Sequence, residues 1–214
     1  MKNKIVISRY DENLDWLDLI NQSNYDIVIY NKGNDINREF IKLDNVGREA
    51  HTFLTYIVDN YDNLPEYTIF LQGEPFYHCT DEYRRLYCDN NSYEYNKNLD
   101  YKYFINLINS ENFVGFNLVE FLNNELKECY IGDAFVKYDG FNINPYLTNL
   151  FNDQNHEFKF IAGAQYCVLK ETIIKRSLQF YKTCLEYSLQ DDEFPWVMER
   201  FWYMIFFTNE KTKF

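Results

Sequence analysis

Three short apolar runs constrain this chain most: Lys4–Ser8 (KIVIS), Tyr25–Gly33 (YDIVIYNKG) and Tyr67–Leu71 (YTIFL) are β-branched and aromatic, and the stretches between them follow a helical spacing. Runs of that length and composition read as buried strands. After the first, LDWLDLI places Leu14, Trp16, Leu17 and Ile20 in a short helix. After the second, Ala50, Phe53, Leu54, Ile57 and Val58 recur at i, i+3, i+4, i+7 and i+8, the pattern of a helix packing one face on a core. Asn45 is placed to cap that helix, and the NLP at Asn63–Pro65 ends it. The order strand, helix, strand, helix, strand with short loops predicts an α/β domain with a central, mainly parallel mixed sheet flanked by helices. In such a sheet ligands bind outside the carboxyl ends of the strands. Here those ends are SRYDE (residues 8–12), YNKG (30–33) and QGEP (72–75).

The rest of the chain is less regular. Residues 79–100 are polar, rich in tyrosine and without periodicity, and read as a long loop or lid. YKYFINLI (101–108) and NLVEFLNNEL (117–126) read as helices, FVGFN (113–117) as a short strand and 131–147 as strand and loop. HEFKFIAGAQYCVLK (156–170) holds one or two strands. ETIIKRSLQFYKTCLEYSL (171–189) reads as one long amphipathic helix, and PWVMERFWYMIFF (195–207) as an apolar helix with Pro195 in its first turn. No linker rich in Gly, Ser or Pro divides the chain, so one domain is expected, with a first half to about residue 110 and a second from about 111.

A formal net charge of −12 argues against a nonspecific nucleic-acid binder, which would neutralise phosphates with clustered Lys and Arg. An anionic ligand would need a local positive patch, for which Arg9, Lys32, Arg38 and Arg48 stand near element ends. The five cysteines are odd in number and contain no C-x-x-C pair, which fits a reducing compartment better than a disulfide framework or a zinc site. With no apolar stretch of membrane-spanning length and only a short apolar run at the start, an intracellular, cytoplasmic location is expected. G-x-G-x-x-G and G-x-x-x-x-G-K-[ST] are both absent, which sets dinucleotide and P-loop chemistry behind.

Several segments together are similar to a known family. VISRYDENLDWL, NVGREAHTFLTYIV followed by YTIFLQGEP, and GAQYCVLKETIIKR followed by PWVMER resemble the elements of GT-A glycosyltransferases. More specifically, they resemble a family of small GT-A-like domains from fungi, bacteria and large DNA viruses, akin to viral transferases that glycosylate capsids. The resemblance implies a sugar moved from a nucleotide diphosphate sugar, most readily a UDP-sugar, to a hydroxyl of a glycan or glycoprotein. It also implies an Asp-x-Asp motif after the third strand, holding Mn²⁺ or Mg²⁺ against the donor diphosphate. The matching positions here are Gln72, Gly73 and Glu74, so only the second acid is kept, as Glu. Glu74 with His78 or Asp81 is the expected metal set.

The nucleotide is expected on Ser8, Arg9, Tyr10, Asp11, Lys32, Arg48, Gln72 and Gly73. The cations would stabilise charge on the departing diphosphate, Asp11 and Glu12 would meet uracil or ribose hydroxyls, and Gly73 would let the backbone approach a phosphate. The other reading of Asp11 and Glu12 is a favourable place at a helix start. For an inverting transfer a carboxylate must take the acceptor's proton. Glu199, in an apolar segment where an unpaired carboxylate is costly, is the first choice, with Asp192 second and an ion pair with Arg200 as the alternative reading of Glu199. Asp133 and Asp139 are weaker candidates for acceptor contact. His51 reads as a core or surface histidine, His156 as solvent-facing, and Tyr77, Tyr83, Tyr87 and Tyr93 either as a stacking lid or as a plug. A noncatalytic sugar-nucleotide or carbohydrate-binding domain with a degenerate metal motif is the principal rival, ahead of a pyrophosphorylase and an assembly protein.

Overall fold

The computed structural model describes residues 1–75, 105, 108–109, 126–129, 143–152, 158–161 and 164–206. Within them the elements are β1 (Asn3–Arg9), β2 (Tyr25–Asn31), β3 (Ile41–Lys42), α1 (Arg48–Asn60), β4 (Tyr67–Gln72), β5 (Leu126–Cys129), α2 (Asn144–Phe151), β6 (Phe158–Ile161), β7 (Tyr166–Leu169), α3 (Lys170–Ile173), α4 (Leu178–Gln190) and α5 (Phe194–Phe206). A 3₁₀ turn, Asp15–Leu19, follows β1. The class is α/β. The chain forms two compact units from interleaved segments: Met1–Asn45, Asp62–Asn124 and Gly163–Lys170 in the first, Val46–Tyr61, Glu125–Ala162 and Glu171–Phe214 in the second.

The first unit is a five-stranded mixed sheet in the order β3-β2-β1-β4-β7. β1 lies parallel to both β2 and β4, with Ile5 opposite Ile27 and Ile69, while β7 closes the edge antiparallel to β4, Ile69 opposite Cys167. Ile5, Ile7, Ile69 and Leu71 share one face and pack with Trp16 and Leu17 of the 3₁₀ turn and with Ile105 and Ile108. Val6, Phe70 and Val168, on alternate positions, are equally buried. Burial on both faces is why these strands read as continuous apolar runs instead of alternating ones.

The second unit is helical, with the β5–β6 antiparallel pair. Its core is aromatic: Trp202 stacks on Phe206 at 5.0 Å and lies 6.0 Å from Phe53, and Phe151 meets Phe201 edge-on at 5.1 Å. Arg176, 4% exposed, lies over the Phe151 and Phe180 rings at 5.1 and 5.4 Å.

Three expectations are corrected. Asn45 does not cap α1; Gly47 does, in the left-handed region at φ 64° with no side-chain bond, followed by Arg48 at φ 45°. A Cβ on Gly47 would stand 2.5 Å from the Ser188 carbonyl oxygen, so both conformation and space require glycine. The single helix expected over 171–189 is two, because Ser177 takes an extended backbone and its side chain accepts from Phe180 N, starting α4 anew. Residues 144–147, expected as strand or loop, open α2, with Pro145 in its first turn.

Candidate functional site

The carboxyl ends of β1, β2 and β4 come together at one edge of the sheet unit, and Arg9 organises the first two. Its guanidinium, 7% exposed, donates from Nε to the Glu12 carbonyl at 2.9 Å and from Nη1 to the Tyr10 carbonyl at 2.8 Å, to Asn31 Oδ1 at 2.7 Å and to the Asn34 carbonyl at 2.9 Å. Asn31, fully buried, also accepts from Gly33 N at 3.2 Å and donates to the Asn34 carbonyl at 2.9 Å. One arginine thus ties the loop after β1 to the turn after β2. Gly33 makes that junction possible: a Cβ there would stand 1.8 Å from the Tyr10 carbonyl oxygen. Lys42 Nζ closes the other side on the Gly33 carbonyl and Asp35, the latter at 3.0 Å.

Gly73 has a similar use at the end of β4. A Cβ on it would lie 2.7 Å from Glu12 Oε2, and its carbonyl accepts from Trp16 Nε1 at 2.9 Å. The space expected to admit a phosphate is taken by the Glu12 side chain, whose Oε2 also accepts from Tyr10 N at 2.7 Å.

Beside this junction lies a cleft of about 620 Å³, lined by Arg9, Asp11, Glu12, Asn13, Leu14, Asp15 and Asp18 from the loop after β1 and by Ile36, Asn37 and Arg38 from the segment after β2. Four carboxylates face two guanidiniums. Arg38 donates to Asp18 Oδ1 at 2.9 Å and lies 4.0 Å from Asp15, and that hydrogen bond holds the Asp18 carboxyl below its ordinary value. An acidic wall of this kind accepts hydrogen bonds from hydroxyl and amide groups and repels a bare phosphate. Leu14 and Ile36 supply the apolar surface.

The expected nucleotide residues therefore divide. Arg9 and Asp11 line the cleft. Tyr10 is 49% exposed. Ser8 and Lys32 are each 7% exposed at the ends of β1 and β2, with Lys32 N bonded to the Arg9 carbonyl at 2.9 Å. Gln72 is held from the residue before β7: Gln165 Nε2 donates to Gln72 Oε1 at 2.9 Å. Arg48 belongs to the second unit, where its guanidinium stacks on Trp196 at 3.9 Å and pairs with Glu49 at 3.5 Å.

Of the expected metal set, Glu74 is exposed at the end of β4, while His78 and Asp81 lie outside the described residues. Among the described residues no group of three or more His, Cys, Asp or Glu is gathered to hold a metal ion, and one exposed carboxylate does not by itself make a Mn²⁺ or Mg²⁺ site. Asp133, Asp139, His156, Tyr77, Tyr83, Tyr87 and Tyr93 are also outside the described residues.

Glu199 sits on α5 in the second unit, its side chain 26% exposed and 3.4 Å from Arg200 Nη1. The carboxylate is paired and reaches solvent, so the cost of burying an unpaired charge is not what it signals. Arg200 is held in turn by the Trp196 carbonyl at 2.7 Å. Asp192 is exposed. His51 is buried, with Nδ1 3.2 Å from the Val46 carbonyl, which settles the choice between a core and a surface histidine in favour of the core.

Asn13, Asn31, Ile36 and Asn37 were missed by sequence reasoning. The signal for Asn31 was its place between a strand and Gly33; the others follow only from the way Arg9 folds the two loops together.

The model of the family described as "Protein of unknown function (DUF3431)" matches residues 5–213. The chain belongs to that family. No curated protein and no solved structure matches it. Among the described residues no helix is long and apolar enough to cross a membrane.

Proposed function

We propose that this chain is a GT-A-like glycosyltransferase that binds a nucleotide diphosphate sugar, a UDP-sugar foremost, at the carboxyl edge of its sheet and passes the sugar to a hydroxyl of a glycan or glycoprotein. The observation that carries this reading is the cleft beside the ends of β1 and β2. Its volume suits a nucleoside, its carboxylates suit ribose hydroxyls and the imide of a pyrimidine, and Leu14 and Ile36 suit the face of a base. The acidity of that wall directs the diphosphate away from it, toward the end of β4.

In the proposed reaction the acceptor oxygen bonds to the anomeric carbon as the bond from that carbon to the diphosphate oxygen breaks. The nucleoside diphosphate leaves with the electron pair, and the acceptor's proton passes to a carboxylate. In this reading Glu74 would be one ligand of a Mn²⁺ or Mg²⁺ ion, with no acid at residue 72 to share it.

Thermal melting with UDP, GDP and the other nucleoside diphosphates, each with and without Mn²⁺, tests the reading. A ligand bound at about 100 times its Kd adds roughly 2.7 kcal/mol to the native state, and Asp11→Asn is expected to abolish most of that gain. No shift with any nucleotide at millimolar concentration would sink the proposal. A second reading, a sugar-nucleotide-binding domain without turnover, is favoured by the neutral Gln72–Gln165 pair standing where an acid is expected; donor turnover separates the two.

A further inference from the structure

The second unit keeps one large aromatic side chain at its surface. The chain has three tryptophans. Trp16 and Trp202 are buried, whereas Trp196, in the first turn of α5, is 37% exposed. Its ring is nevertheless held. The Arg48 guanidinium lies over it at 3.9 Å, a cation–π contact.

Arg48 reaches that position from a backbone in the left-handed region, φ 45°. A long L side chain is uncommon there, because its Cβ crowds the backbone. Among the described residues the other non-glycine with a positive φ is Asn152, a residue type that tolerates it. The fold therefore accepts local strain to put this cation on this ring, and strain of that kind collects where a surface is kept for use. A stack that served stability alone would gain more by burying the indole. The surrounding backbone also leaves apolar surface outside: Val46 and Leu189 are both exposed, and they adjoin Gly47 and Ser188, which are packed against each other.

The charges along the ring narrow what can bind. A second cation is repelled by Arg48. An anion meets carboxylates instead: Glu193 and Glu199 stand three residues before and after Trp196, the spacing that brings helical neighbours together, Glu49 pairs with Arg48 at 3.5 Å, and Asp192 is exposed. Those same charges break up the apolar area that a large protein interface needs. What fits is a neutral ligand with a compact apolar face and a polar rim. A pyranose has both, C–H groups on a ring face and hydroxyls that bond with charged side chains.

We propose that Trp196, held in place by Arg48, is the platform of a neutral-sugar-binding surface on the second unit. Every residue it uses belongs to that unit, so the proposal goes beyond the nucleotide reading and holds whether or not a nucleotide binds the first.

The indole N–H signals of the full chain labelled with ¹⁵N-tryptophan test it by NMR. Trp196→Ala assigns the Trp196 signal by removing it. The probes are the methyl glycosides of glucose, galactose, mannose and N-acetylglucosamine, with lactose and maltose, each taken to tens of millimolar, and tetramethylammonium and inorganic phosphate as charged controls. At least one sugar moves the Trp196 signal and leaves those of Trp16 and Trp202 in place. Calorimetry with that sugar shows an affinity about tenfold or more lower in Trp196→Ala, the scale for losing an aromatic anchor. Arg48→Asn suits the left-handed backbone but removes the guanidinium, and it too binds the sugar more weakly.

No movement with any sugar, a sugar affinity unchanged in Trp196→Ala or in Arg48→Asn, or a signal moved by a charged control and by none of the sugars overturns the proposal. A stack that only ties α1 to α5 would lower Tm in Arg48→Asn and leave no sugar binding to lose. Should Trp196→Ala fail to fold, the wild-type signals and Arg48→Asn carry the test. Any melting gain with UDP belongs to the first unit and persists in Trp196→Ala, so either reading can fail without the other.

Discussion

Two buried arginines show how differently the two units are held. Arg9, at the sheet edge, is fixed by four directional hydrogen bonds to the oxygens of Tyr10, Glu12, Asn31 and Asn34. Arg176, in the helical unit, lies over two phenylalanine rings and donates to the Met204 carbonyl at 3.3 Å. The first arrangement depends on donor geometry, the second mainly on volume and ring surface. A fold that must present loops in one conformation uses directional bonds there, and a scaffold of helices can rely on packing.

The comparison is broken most easily at Trp202, 1% exposed. Trp202→Ala is expected to cost about 4 kcal/mol in urea unfolding, within the range for buried aromatic truncations. Trp202→Phe should cost a small fraction of that, since shape and apolarity are largely kept. A Phe variant as damaged as the Ala variant would show that the helical unit is as geometrically strict as the sheet edge. At Arg9 the expectation is reversed. Arg9→Lys keeps the charge but cannot supply a fork of donors to four acceptors, and orphaning two or more of them should cost about 2–3 kcal/mol. A lysine variant within error of wild type would remove the directional account.

The smallest effect belongs to the exposed edge. Lys4 donates to Asp26 Oδ2 at 2.7 Å and holds that carboxyl below its ordinary value. A lowered folded value means that the pair's stabilisation is complete above the unfolded carboxylate pKa, about 3.9, and fades as pH falls through the lower folded value. Lys4→Met should therefore lose a little stability at pH 7 and show a shallower acid limb in Tm against pH. An unchanged acid limb would show the pair to be inert.

Much of the sheet unit is legible in the sequence because its strands are buried on both faces and leave unbroken apolar runs. β1, β2 and β4 fall on the runs KIVIS, YDIVIYNKG and YTIFL, with β2 stopping at Asn31 and β4 running on to Gln72. β3 leaves no such mark: it is two exposed residues paired to β2. The break before α4 was hidden because apolar spacing continues through it, and only Ser177 carries the local signal. The candidate site was half legible. Of the three strand-end segments, SRYDE lines the cleft through Arg9, Asp11 and Glu12 while YNKG and QGEP do not, and whether Arg9 serves a ligand or the loops depends on carbonyls contributed by residues 10, 12 and 34, which no spacing rule encodes. Gly73 was singled out for a real reason, close approach, although its close neighbour is Glu12.

The late pairing of β7 with β4 carries a cost during synthesis. β4 ends at Gln72 and its antiparallel partner begins at Tyr166, so 93 residues lie between them. At roughly 5–20 residues per second on the ribosome, the open edge of this largely apolar strand waits on the order of 5–20 seconds for its neighbour. A contact of such sequence separation is slow to close even in the released chain. Until then the outer edge of β4, whose other edge pairs with β1, is open and of the kind that recruits other chains, and the nascent protein should depend on holding chaperones more than its finished size would imply.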